Sequence, residues 1–325
     1  MRIGITTTIP VEIVYAGGHM PEDINNVFIA SDDPQAMVLR AEHDGYPRNV
    51  CGWIKGIYGT ILETNSIKTV IAAVEGDCSQ TQAMMETLEM QGIQVIPFAF
   101  PYGRDRDMLR MQLEKLAERL GADWQSVIEW KKRLDGIRLK LRELDDLTWQ
   151  DGKISGRENH IWLISSSDFW GKPDWFETSL DNFLSDARAR QPKKGRMRIG
   201  YIGIPPIFTD LYELLEERGA AVVFNEVQRQ FSMPFDTDDI VEQYALYTYP
   251  YDIFGRIEDI NREVERRNIQ GIIHYTQSFC FRQIQDLIIR KNVNVPILTL
   301  EGESPGPIDA RTRVRIESFL EMLEV

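Results

Sequence analysis

The residues best able to do chemistry in this chain are its three cysteines, and two of them are delivered by the same device. In VIAAVEGDCSQTQ, residues 70 to 82, a run of apolar and β-branched residues ends in the polar turn Glu75-Gly76-Asp77, presents Cys78 and opens a helix. In IIHYTQSFCFRQIQ, residues 272 to 285, an apolar run again stops at a cysteine, Cys280, and a polar helix follows. The two cysteines are 202 residues apart, and the strands that come next, VIPF from Val95 and ILTL from Ile297, keep that offset. Cys51, in NVCGWIKGIYGTILE, heads a third helix, whose apolar positions Ile54, Ile57, Ile61 and Leu62 recur at helical spacing.

A helix N-terminus carries unpaired N–H groups and partial positive charge, which favour a thiolate over a thiol. Thiolates select soft metals, meaning zinc or iron–sulfur clusters. Three cysteines do not close a structural zinc site, which needs four ligands, and His19, His43, His160 and His274 are scattered along the chain. His274 reads as a strand residue. Free cysteine is also among the most commonly buried residues, so any one thiol in isolation reads first as a small core side chain; the polar turn before Cys78, the repeat that places Cys280 and the helix start at Cys51 argue against it. The residues by themselves therefore reach a three-cysteine metal site or three inert core cysteines. An odd number of cysteines without compact spacing excludes a disulfide framework.

The elements that must position these residues repeat as well. RIGITTTIPVEIVYAGG, residues 2 to 18, supplies a strand, a loop closed by Pro10 and an amphipathic helix ending at Gly17 and Gly18. From Met197, MRIGYIGIPPIFTDLYELLEERGA repeats Arg-Ile-Gly and sets Pro206 at 196 residues beyond Pro10. Repetition at this scale indicates duplication of one α/β unit, with parallel sheets whose ligands sit beyond the carboxyl ends of strands. Residues 1–103 form the first unit, with the short apolar segment VFIAS and the helix-like PQAMVLRAEHDG leading to Cys51. Residues 104–190 form a helical insert, charged, apolar at helical period and poor in strands. QPKKGR, residues 191 to 196, is a basic linker into the second unit, 191–325. That unit contains the strand AAVVF, an irregular stretch with Tyr244, Tyr247, Tyr249 and Tyr251, the helix IEDINREVERRN and the final RTRVRIESFLEMLEV.

The chain has 325 residues, 43% hydrophobic and 27% charged, which suits a globular protein with two cores. A net charge of −13 argues against nucleic acid or an anionic membrane surface as a partner. No signal peptide opens the chain and no apolar run approaches the roughly 18 residues of a membrane span, so the expected compartment is the cytoplasm. Gly17, Gly18 and Gly76 read as turn glycines, since no GxGxxG follows a strand. Glu12 is either an acid/base group or a helix-capping carboxylate. Lys55, one turn after Cys51, is expected to be solvated in preference to balancing the charge of a metal centre, and Arg311, Arg313 and Glu317 to form an ion pair or an anion contact. The tyrosines near 244–251 either line a pocket or pack.

Taken together, TTTIPVEIVYAGG, CGWIKG, VEGDCSQTQ, the SFC of the second half and ARTRVRIESFLEML resemble the family of 2-hydroxyacyl-CoA dehydratases and benzoyl-CoA reductases over nearly the whole chain. The resemblance implies two Rossmann-like units plus helices, with Cys51, Cys78 and Cys280 binding a four-iron, four-sulfur cluster between them. It implies an ATP-dependent iron–sulfur activator protein that injects one electron at very low potential. In the family's dehydratases that electron forms a ketyl radical anion from an acyl-CoA thioester, which expels the hydroxyl group; the reductases reduce an aromatic thioester. A further branch joins two cubanes through a sulfide in a homodimer and reduces small molecules. Family dehydratases carry an extension ahead of TTTIPVE, whereas this sequence begins almost on that element. An electron-relaying subunit in a heterodimer and a homodimeric reductase are therefore expectations beside the acyl-CoA enzyme.

Overall fold

The structure is a computed structural model and describes residues 1–64, 66–193 and 196–324. Lys194 and Gly195 of the linker QPKKGR, and the terminal Val325, lie outside the described residues. The first unit runs β1 (Arg2–Ile5), α1 (Val11–Ala16), β2 (Met20–Asp23), α2 (Ile24–Ile29), α3 (Pro34–His43), α4 (Gly52–Thr64), β3 (Thr69–Glu75), α5 (Thr81–Met90) and β4 (Gln94–Ala99). Four helices follow: α6 (Arg106–Leu120), α7 (Trp124–Trp149), α8 (Gly156–Ile164) and α9 (Pro173–Ala189). The second unit runs β5 (Met197–Gly203), α10 (Leu211–Glu217), β6 (Ala220–Asn225), α11 (Glu226–Phe231), α12 (Ile240–Leu246), α13 (Ile253–Arg266), β7 (Gly271–Gln277), α14 (Arg282–Asn292), β8 (Ile297–Gly302) and α15 (Ala310–Leu323).

The two sheets have one topology, β2-β1-β3-β4 and β6-β5-β7-β8, with every pair parallel. Their register repeats too. Val70 faces Val95 in the first sheet and Ile272 faces Ile297 in the second, so both partners keep the 202-residue offset. Gly4 faces Val70 and Gly200 faces Ile272 across the neighbouring pair, which carries the 196-residue offset of the opening strands. An α/β fold of two repeated units is therefore what this chain adopts.

The strands form where they do because a parallel sheet is covered on both faces and rewards unbroken apolar runs. Every residue of β7 is buried, and the first five of β3. The edge strand β2 is different: MPED has a proline and two acids, tolerable only because an edge leaves one side of the strand unpaired. The helices between the units carry their own stop and start signals. Asp105, Asp123 and Ser155 accept backbone N–H bonds as N-caps of α6, α7 and α8, and Gly121, at φ 66°, ends α6. The stretch that reads as irregular before Tyr247 holds α11 and α12, too short to show a period.

A single apolar cluster passes through the first unit, the four intervening helices and one face of the second sheet, joining Ile71, Leu141 and Tyr275. A smaller one, with Ile202, Ile272 and Ile289, fills the other face of the second sheet. No helix among the described residues is long and apolar enough to cross a membrane.

Candidate functional site

In each sheet the first strand and its third-in-sequence partner have their connections on opposite sides, and a crevice opens beyond their carboxyl ends. The two crevices form one pocket. It is lined by Thr6, Thr7 and Thr8 after β1, Cys78 after β3, Pro205 after β5 and Cys280 after β7, with Cys51 from the head of α4. All three cysteines therefore open on the same space, about 730 Å³ counted with its mouth. Trp53, Ile54 and Ile57 make an apolar wall, and Asp23 and Asn25 a polar one.

Local geometry presents each thiol. Cys78 lies three residues beyond the end of β3, after Gly76 at φ 94°. A Cβ on Gly76 would fall 2.6 Å from the Pro250 carbonyl oxygen and 2.7 Å from Phe100 Cβ, so only glycine makes this turn. Cys280 lies three residues beyond β7 and follows Phe279, which holds a left-handed φ of 64°. A large non-glycine residue in that region is strained, and such strain concentrates at functional sites. The Cys51 carbonyl accepts the Lys55 N–H at 3.1 Å, which makes Cys51 the residue that starts α4.

One side chain ties the three cysteine segments together. Gln80 donates its backbone N–H to Cys78 Sγ at 3.4 Å, accepts the Cys51 N–H on Oε1 at 3.4 Å and donates from Nε2 to the Phe279 carbonyl at 3.3 Å. Arg282 holds the corresponding position of the second unit, two residues past Cys280 as Gln80 is two past Cys78. It also lines the pocket.

The thiols are close enough to raise one another's pKa, yet burial is the larger effect. It pushes Cys51 up to about 11 against the backbone N–H groups of Ile54 and Trp53, and Cys78 up to about 12, with the Asp77 charge adding to it. Cys280 is raised for the same reason, opposed by the Arg282 backbone N–H and by the Arg282 charge. The expected help from helix N-termini is present and is outweighed. A ligand that takes thiolates must therefore displace protons. Among the described residues no three Cys, His, Asp or Glu side chains close on one point, as a single-ion site would require. Thiols spread around a cavity suit a larger group with several metal atoms. Three buried donors on the pocket also lack a partner among the described residues: Thr8 Oγ1, Trp53 Nε1 and Arg282 Nη1. A group rich in acceptors and net negative, as a thiolate-ligated cluster is, fits that set.

The other expected site residues go elsewhere. Glu12 does not line the pocket. It is fully buried, its Oε1 paired with Arg138 at 2.7 Å and bonded by Gln243 at 2.9 Å, its Oε2 bonded by Tyr244 at 2.8 Å. Burial raises its pKa, but Arg138 and these hydrogen bonds prevail and hold it below the usual range. Lys55 is not solvated: it is buried, with Nζ 2.6 Å from Glu42 and 3.1 Å from the Arg48 carbonyl, because α3 packs along α4. Arg313 lies 3.8 Å from Asp210 and Glu317 pairs with Arg218, so α15 is tied to its own unit, while Arg311 is exposed. Gly17 caps α1 and Gly18 turns at φ 71°. Tyr249 lines the pocket; Tyr244, Tyr247 and Tyr251 are packed away from it. His274 is a buried strand residue bonded to Asp286 at 2.6 Å.

The family model for the 2-hydroxyglutaryl-CoA dehydratase D-component matches residues 6–323. The chain belongs to that family. None of the curated proteins matches it. The 2-hydroxyglutaryl-CoA dehydratase D-component match takes in both sheets and the helices between them, so all three cysteine segments, Gln80 and Arg282 lie inside it. Gln80 and, on the pocket itself, Arg282, Trp53 and Thr8 are among the residues of the site that the sequence does not single out. The only trace is the shared position of Gln80 and Arg282 in the repeat.

Proposed function

We propose that this chain is an iron–sulfur redox subunit of the 2-hydroxyacyl-CoA dehydratase type, with Cys51, Cys78 and Cys280 as ligands of one four-iron, four-sulfur cluster. Its electron donor is an ATP-dependent iron–sulfur activator protein, and it works as a dimer with a related subunit or with its own copy. The observation that carries the reading is that three thiols from three separate segments, two of them repeat equivalents, line a single pocket. Cys51, Cys78 and Cys280 would hold the cluster, which would supply one-electron chemistry there.

The chain's own residues do the rest. Gln80 spaces the cysteine segments, and Trp53, Ile54 and Ile57 give the thiols an apolar wall. Thr6, Thr7 and Asn25 offer hydrogen-bonding groups to a substrate on the opposite side. A sealed apolar site would favour an electron relay. The mainly apolar pocket has a mouth and the polar side chains of Thr6, Thr7 and Asn25, which suits a catalyst acting on a 2-hydroxyacyl thioester, with the electron relay and the double-cubane reductase of small molecules as the other readings.

Anaerobic purification with iron and acid-labile sulfide analysis tests the proposal. About four irons per chain are expected in the wild type, with loss of the cluster in Cys78→Ala. Absence of iron after strictly anaerobic work, or unchanged iron in Cys78→Ala, would refute it. Turnover of a 2-hydroxyacyl-CoA only when activator and ATP are present separates the catalyst from the relay.

A further inference from the structure

Buried arginines in this chain come with carboxylates. Arg138 lies 2.7 Å from Glu12, Arg256 2.7 Å from Glu226, and Arg267 2.6 Å from both Asp145 and Glu263. Arg282 departs from that pattern. It is 3% exposed, and among the described residues it makes no ion pair. Its hydrogen bonds go from Nη2 to the backbone carbonyls of Tyr249 at 3.1 Å and Asp77 at 3.5 Å, and Nη1 has no partner. The guanidinium stacks over Tyr249, 4.2 Å from the ring centre, and against Phe281 at 5.1 Å, which fixes its plane at the pocket.

A cation taken out of water without a counter-ion is costly, more so than any paired one. Asp77 feels the Arg282 charge from a distance, but the two side chains form no ion pair. A contacting anion is thus lacking, Nη1 is left unpartnered on a residue that lines the pocket, and the nearest of the three thiols along the chain, Cys280, is two residues away.

We propose that Arg282 is the built-in counter-ion of the anionic centre held by Cys51, Cys78 and Cys280, and that its charge raises the reduction potential of that centre. The inference rests on the iron–sulfur reading above and deepens it. Reduction brings in one electron from an external one-electron donor and makes the centre more negative. A fixed guanidinium in a water-poor site stabilises that added charge without moving and without giving up a proton. In the repeat-equivalent position Gln80 positions the thiols, and Arg282 supplies the charge.

The test is a redox titration of the anaerobic wild type, Arg282→Gln and Arg282→Lys with a titanium(III) donor, followed by electron paramagnetic resonance, alongside iron content and melting temperature. The expected result is full iron in all three, a lower potential in Arg282→Gln and a potential near wild type in Arg282→Lys. An Arg282→Gln protein that holds no iron while Arg282→Lys does also supports the counter-ion. An unchanged potential at full iron overturns it, as does an equal shift in both variants, which would assign the effect to packing on Tyr249. An unchanged potential with weakened binding of a small carboxylate such as acetate would give Arg282 to the substrate instead, and overturns it too. A wild type without iron removes the iron–sulfur reading and this inference together; every other failure touches Arg282 alone.

Discussion

Glu12 separates what a residue's type suggests from what its neighbours make of it. A carboxylate at the start of a helix reads as an acid/base candidate, but both its oxygens are occupied by Arg138, Gln243 and Tyr244. Glu12→Gln leaves a buried guanidinium short of its main partner, so urea unfolding should show a loss of about 3 kcal/mol, with iron content unchanged. The pH dependence has a definite sign. A carboxyl held below its ordinary value contributes stability that is complete above ~pH 4.3 and fades as pH falls through the lower folded value. The wild type should therefore lose stability below that range more steeply than Glu12→Gln. Arg138 lies 126 positions from Glu12, and Lys55 is buried by a neighbouring helix. Neither partnership leaves a local pattern, which is why the cysteines were legible in the sequence and the roles of these two charged residues were not.

At the scale of elements, the legible part was the strand that hands a cysteine to a helix. Buried parallel strands are unbroken apolar runs, and a turn with Gly76 or Ser278 interrupts them visibly. The turns are held by contacts that no run displays. Gly76→Ala forces a Cβ against Pro250 and Phe100 at φ 94°, which should cost about 1–3 kcal/mol and disturb Cys78 first, lowering iron content before it lowers the melting temperature. Gln80→Ala keeps the backbone N–H to Cys78 Sγ but removes both side-chain bonds, to the segments of Cys51 and Cys280. Iron should then pass to a chelator faster than in the wild type, with the melting temperature nearly unchanged. Equal rates would mean that the segments hold their spacing without Gln80. Gln80→Glu can still accept from Cys51 yet cannot donate to Phe279, so it should fall between the two.

Over the whole molecule, a duplicated fold invites the expectation of two units that unfold separately, as chains well above 150 residues often do. The packing argues otherwise. One apolar cluster runs from the first sheet through α7 to the second. The Glu12 network ties α1 of the first unit to Arg138 on α7 and to Tyr244 on α12 of the second, while Arg267 of the second unit reaches Asp145 on α7. The helices between the sheets thus act as a shared wall, which closes the core of the first sheet and one face of the second. Calorimetry of the metal-free protein should give one transition, with calorimetric and van't Hoff enthalpies equal. Tyr244→Phe, which removes the O–H shared between Glu12 and the Ile9 carbonyl, should lower that single transition without splitting it. Two resolved transitions would mean that the pocket sits on a hinge between independent units. In that case the spacing of Cys51 and Cys78 against Cys280 would depend on what fills the pocket; with one transition, the spacing is set by the fold before anything binds.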